Sequence, residues 1–139
     1  MIVQKPHDGG GTYDACYTNV VADAAVAQGQ FVIWDLASTG NDLGVDVIPG
    51  TAASVQGVGV AAMAAATRER FIVQSYGVYK GAVTDGSVVV GNQLELGAAG
   101  AVRAASVVVI TPSAGVMDKV GVALATDVGT VGDIFIRCM

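Results

Sequence analysis

Charged residues are scarce in this 139-residue sequence: 14% are charged and 6% are aromatic, whereas hydrophobic residues reach 53%. Disordered chains combine low hydrophobicity with high charge, so disorder is excluded. The apolar surplus is small residues, Ala, Val and Gly, rather than Leu, which favours strands and tight turns over a helical bundle. The low charge fits either a surface partly covered by a neighbouring protein or a well-buried small domain. Composition leaves both open.

Basic residues are few and scattered, and the net charge is −5. Only Arg68 and Arg70 lie close together, and Glu69 separates them. A nucleic-acid-binding protein normally carries a basic stripe, so we expect no nucleic-acid partner. The longest uncharged apolar stretch, 57–66, is too short to span a bilayer, so we expect no membrane association.

Histidine and cysteine offer little for catalysis. His7 is the single histidine and lies beside the glycines at 9–11, where no rigid frame holds it. We therefore expect no catalytic, metal-binding or cofactor-binding residues, and no enzymatic activity. Cys16 and Cys138 allow one disulfide, but two reduced, half-buried thiols are favoured.

The first 13 residues are predicted to form a flexible N-terminal arm, because three consecutive glycines hold no single conformation. The arm has no apolar segment typical of a signal peptide. Such an arm is either disordered or laid onto a partner, and the sequence leaves both possibilities open.

An internal repeat is the most informative feature of the remaining chain, 14–139. Comparing the sequence with itself at a shift of 62 positions gives fifteen identities. They include a complete block, in which Val-Gly-Val-Ala at 58–61 matches the same four residues at 120–123, and a match of Ile72 with Ile134. We interpret 14–139 as one β domain with two related halves, 14–77 and 78–139.

Each half predicts the same order of short strands between Gly, Pro, Asn and Asp turns. The predicted pairs of strands are 17–21 with 78–83, 29–34 with 91–96, 45–48 with 106–110, and 71–76 with 134–137, together with the Val-Gly-Val-Ala segments. This spacing predicts an all-β fold, a compact antiparallel barrel or sandwich built from two pseudo-repeated halves. Residues 61–70 have strong helix propensity, but the repeat favours a strand that enters a loop.

Three motifs that suggest binding chemistry have simpler structural interpretations. Residues 57–62 match the dinucleotide fingerprint G-x-G-x-x-A, but no acid follows at the ribose distance, so we predict a strand approached closely by another backbone. Residues 42–46 contain two aspartates but lack the ligand density of a calcium loop. Asp23 and Asp85 occupy equivalent turns, where each side chain is expected to bond to the backbone two residues on.

Trp34 and Phe31 are expected at core or interface positions.

Several motifs resemble the capsid decoration, or cement, proteins of tailed bacteriophages. They are Gly-Gln-Phe-Val at 29–32, Gln-Gly-Val-Gly-Val-Ala at 56–61, Tyr-Gly-Val-Tyr-Lys-Gly at 76–81, Gly-Asn-Gln-Leu at 91–94, Val-Gly-Val-Ala-Leu-Ala at 120–125 and Gly-Asp-Ile-Phe-Ile at 132–136. The resemblance implies a small all-β protein on the outer surface of the virion head, bound to the major capsid protein. It also implies a homo-oligomer, with a trimer favoured, and no catalytic residues.

The sequence therefore favours a virion structural protein that stabilises the capsid lattice, with residues 1–16 expected to contact the major capsid protein or a sister subunit. The alternative is a soluble β-barrel module that binds a small ligand or a carbohydrate. A deep pocket lined by Trp34, Tyr76 or Tyr79 would favour that alternative. An enzyme is the weakest hypothesis, because a positioned acid–base set is missing.

Overall fold

A computed structural model of the protein describes residues 15–37, 45–52, 57–105 and 119–138. Within these ranges the chain forms strands, turns and one 3₁₀ turn, Ala98–Gly100, so the predicted all-β class is confirmed. The strands are β1 (Cys16–Ala22), β2 (Phe31–Trp34), β3 (Asp46–Pro49), β4 (Gly57–Ala61), β5 (Arg70–Val83), β6 (Gln93–Leu96), β7 (Val102–Ala104), β8 (Lys119–Ala123) and β9 (Val131–Arg137). In the described ranges no helix long and apolar enough to cross a membrane occurs.

The first five strands close into a barrel, here called barrel 1. Its order is β1-β3-β2-β4-β5, and β5 pairs back with β1 along most of their lengths. The β1–β3 pair is parallel, with Val21 opposite Asp46, whereas the other four pairs are antiparallel. Closure removes exposed strand edges from this half of the molecule.

The other four strands continue the sheet from β5 in the order β9-β8-β6-β7 and, together with β5, form barrel 2. In barrel 2, β7, β6, β8 and β9 correspond to β3, β2, β4 and β5 of barrel 1. A single parallel bridge between Thr84 and Val102 brings β7 back beside the end of β5. Both barrels therefore contain β5, whose N-terminal part pairs with β1 and β4 and whose C-terminal part pairs with β9. The predicted strands 71–76 and 78–83 are thus one continuous strand, and the interpreted boundary between the halves falls inside it.

The turns of the two barrels repeat hydrogen bond by hydrogen bond. The amide of Gly29 donates to the carbonyl of Ala61 at 2.9 Å, and that of Gly91 donates to Ala123 at 2.9 Å. Both glycines have a positive φ, 87° and 88°, which a residue without a Cβ adopts at little cost. In each turn a side-chain amide oxygen, of Gln30 or Asn92, accepts the backbone amide three residues earlier at 2.8 Å.

The repeated Val-Gly-Val-Ala block has a structural reason in each barrel. Val58 is an extra residue in β4 opposite β2, and Val120 is the same kind of bulge in β8 opposite β6. The following glycine lies against the next strand, so that a Cβ at Gly59 or Gly121 would overlap a backbone carbonyl oxygen, of Gln74 or Phe135. The prediction of glycines at a close backbone approach is confirmed.

The last strands of the two halves are shifted by one residue relative to the sequence comparison. Ala61 pairs with Val73, and Ala123 pairs with Ile134, so Val73 is the structural counterpart of Ile134. The predicted match between Ile72 and Ile134 is wrong: Ile72 is 39% exposed, whereas Ile134 is fully buried. One residue fewer in the second loop explains the shift.

Another strand begins earlier than predicted in the second half. β7, at Val102–Ala104, pairs with β6 as β3 pairs with β2, whereas the sequence comparison put this strand at 106–110. Residues 106–110 lie outside the described part of the chain, as does the whole predicted arm, 1–13, with His7. The strand follows a shorter loop, which a comparison without gaps does not detect.

Two further expectations are settled by the turns. Residues 61–70 leave β4, pass through a loop and enter β5, so the strand-plus-loop prediction is confirmed. The carboxylate of Asp85 accepts the amide of Ser87, two residues on, as expected. The carboxylate of Asp23 instead accepts a hydrogen bond from the guanidinium of Arg68, so the expected bond to the backbone two residues on is not what this aspartate makes.

Two apolar cores fill the molecule. Core 1, inside barrel 1, comprises Val20, Ala22, Val26, Val32, Val47, Val58, Ala61, Ala65, Phe71 and Val73, with Trp34 packed against it. Core 2 comprises Phe31, Ile33, Val60, Ala82, Val88, Leu94, Leu96, Val102, Val120, Ala123, Ile134 and Ile136. Side chains of neighbouring strand residues face opposite sides of a strand, so those of Phe31 and Ile33 point out of barrel 1 and pack into core 2. The predicted core or interface position of Phe31 is confirmed.

An ion pair secures the closure of barrel 1. Arg68 Nη1 lies 3.0 Å from Asp23 Oδ1 and 3.1 Å from Asp46 Oδ2, and Asp46 is only 1% exposed. Arg68 also has a φ of 69°, a conformation that costs a non-glycine residue energy, whereas its counterpart in barrel 2 is Gly129. Two carboxylates, one just after the end of β1 and one on β3, therefore hold this strained arginine beside the parallel pair.

Substitution of Gly121 tests the close approach in barrel 2. Gly121→Ala is expected to lower the free energy of unfolding by about 3 kcal/mol, because the added methyl group meets backbone rather than a movable side chain. Gly91→Ala is the matched control: its Cβ meets nothing within 4 Å, and only the positive φ costs about 1–2 kcal/mol. Urea unfolding that shows equal losses for both variants would contradict the assignment.

A double-mutant cycle tests the Arg68 ion pairs. Both Arg68→Gly and Arg68→Ala remove the partner of a buried carboxylate, so both are expected to be less stable than the wild type. Arg68→Gly should be the more stable of the two, because glycine relieves the positive φ. Adding Asp46→Asn should cost less in the Arg68→Gly background than in the wild type; additive losses in thermal unfolding would argue against the coupling.

Candidate interaction surface

Two loops of barrel 2 meet at one end of the molecule and form what we call the tip. The tip comprises residues 85–92, between β5 and β6, and 124–131, between β8 and β9. The amide of Val90 donates to Thr126 Oγ1 at 3.1 Å, and the amide of Asp127 donates to the carbonyl of Val88 at 3.1 Å. These hydrogen bonds hold the two loops side by side.

Large apolar side chains are exposed at the tip. Their exposed fractions range from 45% to 84%, at Val89, Val90, Leu124, Val128 and Val131. Together they present roughly 400 Å² of apolar surface, within the range of the largest patches on monomeric proteins, which often serve a function. The tip is therefore a candidate surface for contact with another molecule.

In the equivalent loops of barrel 1, 23–30 and 62–69, the exposed large apolar side chain is that of Met63, at 47%. The structural counterparts of the five tip residues are Ala27, Gln28, Ala62, Thr67 and Arg70, which are small or polar. The turns at 27–30 and 89–92 use the same backbone hydrogen bonds, so the backbone of that loop does not require Val89 and Val90. The sequence signal for the tip is the run of valines at 88–90, which aligns with Val-Ala-Gln at 26–28. This signal is a difference between the two halves, whereas the internal repeat is recognised from their identities.

The charges around the tip have one sign. Asp85, Asp127 and Asp133 lie in or next to the two loops, whose residues include no lysine or arginine. Asp127 Oδ2 accepts the hydroxyl of Thr84 at 2.8 Å and the amide of Val88 at 3.1 Å. The apolar surface is thus bordered by carboxylates that also brace its loops.

The outer face of β6 in barrel 2 carries a second charged group. Glu95 is 3% exposed, and its carboxylate lies 2.8 Å from Arg103 Nε and 3.7 Å from Lys119 Nζ. The counterpart of Glu95 in barrel 1 is Ile33, which packs into core 2. The outer face of β2 is therefore apolar and joins barrel 1 to barrel 2, whereas the equivalent face of β6 carries an ion-paired glutamate.

The aromatic residues that could line a ligand pocket are tied to the barrel walls. Trp34 packs against core 1, and the hydroxyl of Tyr79 donates to the carbonyl of Ala61 at 3.1 Å. Burial raises the pKa of Tyr79. The ring of Tyr76 meets Phe135 edge to face, with the ring centroids 5.2 Å apart.

The described ranges contain no group of three His, Cys, Asp or Glu side chains that could hold a metal ion. Cys16 and Cys138 are free and half-buried, which confirms the prediction of reduced thiols. Asp46, the described part of the candidate calcium loop, is paired with Arg68.

Burial raises the pKa of the Cys138 thiol to about 12, because the thiolate would lose its hydration. At pH 8 roughly one thiol in ten thousand would then be ionised, so iodoacetamide is expected to modify Cys138 very slowly in the folded protein. Peptide mass spectrometry after labelling in buffer and in concentrated urea gives the comparison. Equal labelling of Cys138 in both solutions would refute the burial argument.

Comparison with known proteins gives a likeness of fold. No family model matches the chain, and no curated protein matches it. Among solved structures, it is similar to the N base of the head fibre gp8.5 of bacteriophage phi29, with a TM-score of 0.62 and 17% identity. The match covers 89% of this chain and 95% of that chain. The fold of this protein therefore resembles that of a protein associated with a phage head.

Proposed function

We propose that this protein is a structural component of a tailed-phage virion that binds the outside of the head and stabilises the capsid lattice. The observation that carries the proposal is the likeness of fold to the phi29 head-fibre base over nearly the full length of both chains. The motifs that resemble decoration proteins support the same role. The major capsid protein is the proposed partner, and a homotrimer is the proposed assembly state.

The double barrel suits a part that connects larger subunits. Because β5 belongs to both barrels and Phe31 and Ile33 fill core 2, the two halves form one stiff body. A ligand that binds only the assembled shell stabilises the shell through mass action, by about 2.7 kcal/mol when its concentration is one hundred times Kd. This role requires binding surfaces and rigidity rather than chemistry, so we propose no catalytic activity.

Heads of the phage that encodes the chain, prepared without this protein, provide the direct test. The purified protein is expected to co-sediment with these heads at saturable stoichiometry and to raise the temperature at which they release DNA. Unassembled major capsid protein is the control, and binding to it should be much weaker. Failure to bind assembled heads would refute the proposal.

The arm is tested in the same assay. A variant lacking residues 1–13 is expected to occupy fewer sites on the heads, because an extended arm adds contacts to a neighbouring subunit. β1 begins at Cys16, so this deletion leaves barrel 1 complete. Occupancy equal to that of the full chain would remove the arm from the proposal without affecting the role of the barrels.

A further inference from the structure

We infer that the tip of barrel 2 is the surface through which this protein docks onto a protein of the phage shell. The inference rests on the proposed function and adds the site of contact to it. Its starting point is the difference between two copies of one fold, in which barrel 2 exposes Val89, Val90, Leu124 and Val128 where barrel 1 has small or polar residues.

The apolar residues of the tip are not needed for the fold. Gly91 and Ala123 repeat the hydrogen bond of Gly29 and Ala61, so the backbone of the tip forms equally well in barrel 1 without exposed valines. Exposed apolar surface has an unfavourable hydration free energy, which contact with a partner removes, and patches of this size often serve a function. The equivalent turn of barrel 1 packs against barrel 2: the amide of Val83 donates to the carbonyl of Gly29 at 2.9 Å, and Gln30 Nε2 donates to the carbonyl of Ala99 at 3.0 Å. Barrel 1 therefore already has a neighbour at this end, which the tip of barrel 2 would find in a partner.

The tip is also braced by side chains that barrel 1 does not have. Thr84 and Asp127 replace Ala22 and Ala65, and their hydrogen bond at 2.8 Å joins the base of one loop to the other. Thr84 is 2% exposed, so this brace lies inside the barrel mouth. A surface held in one conformation before binding loses less entropy when it binds.

Area and charge disfavour a second copy of this chain as the occupant. A stable interface buries about 800 Å² on each partner, roughly twice the apolar area of the tip. Two tips would also bring the carboxylates of Asp85, Asp127 and Asp133 together, and like charges across an interface oppose association. The matching surface is therefore an apolar patch with basic residues at its border, on a shell protein. In the proposed homotrimer, three linked tips would bind neighbouring copies of that protein and strengthen the attachment.

The variant Val89→Ala, Val90→Gln, Leu124→Ala and Val128→Thr tests the tip. Each substitution introduces the residue that barrel 1 carries at the equivalent position, and none changes the charge. We expect its Kd for heads lacking this protein, measured by co-sedimentation, to rise at least tenfold, with an unchanged thermal unfolding midpoint. The matched control, Leu36→Gln with Ile72→Thr, removes exposed apolar side chains elsewhere and should bind within twofold of the wild type.

A second variant tests the charge at the border independently. Asp85→Asn keeps an acceptor for the amide of Ser87, so the loop should persist while one negative charge is lost. Its binding to heads is expected to weaken and to depend less on salt concentration than that of the wild type.

The outcomes separate the two proposals. Wild-type protein that binds heads while the tip variant binds equally well would overturn the docking surface and leave the proposed function standing. The same holds if the tip variant only converts an oligomer to monomers in analytical ultracentrifugation, because the occupant would then be a second copy. Wild-type protein that does not bind heads would overturn the proposed function, and the docking surface with it.

Discussion

The shared strand β5 is the constraint on which the rest of the structure depends. Its N-terminal part is hydrogen-bonded to β1 and β4, and its C-terminal part to β9. One backbone segment therefore belongs to both barrels, and neither barrel can shift without breaking its ladder. The apolar side chains of Phe31 and Ile33 reinforce this connection because they cross from barrel 1 into core 2. The result is a rigid body whose two ends keep a fixed separation.

The two barrels have kept one backbone design and changed its surfaces. Barrel 1 is closed by a parallel strand pair and secured by Arg68 between two carboxylates. Barrel 2 is closed by a single bridge, and the outer face of barrel 1 contributes to its core. The face that joins the barrels is apolar in barrel 1 and carries Glu95 with its basic partners in barrel 2. Conversely, the loops at the tip of barrel 2 expose five large apolar side chains, whereas the equivalent loops of barrel 1 expose Met63 among mostly small or polar residues. The two copies thus share a backbone and differ in the surfaces they present.

The sequence predicted those features that depend on local backbone requirements. Gly29 and Gly91 at positive φ, and the Val-Gly-Val-Ala bulges, recur because each barrel needs the same turn and the same close approach. A comparison without gaps could not follow the shorter loop before β7 or the missing residue before β9, so Ile72 was matched to the wrong strand position. The sequence did not predict the tip because side-chain exposure is a property of the tertiary structure. Valines in a β protein ordinarily indicate buried core positions. The bridging role of Arg68 was equally hidden, since its partners lie 45 and 22 positions away in the sequence.

The central claim is that this rigid double barrel is a component of the phage head. Quantitative mass spectrometry of purified virions tests it most directly, because a structural component remains bound through purification in proportion to its binding sites. The account predicts that the chain is present at a fixed molar ratio to the major capsid protein from one preparation to the next. Its absence from infectious virions, or a trace amount that falls with each purification step, would contradict the account.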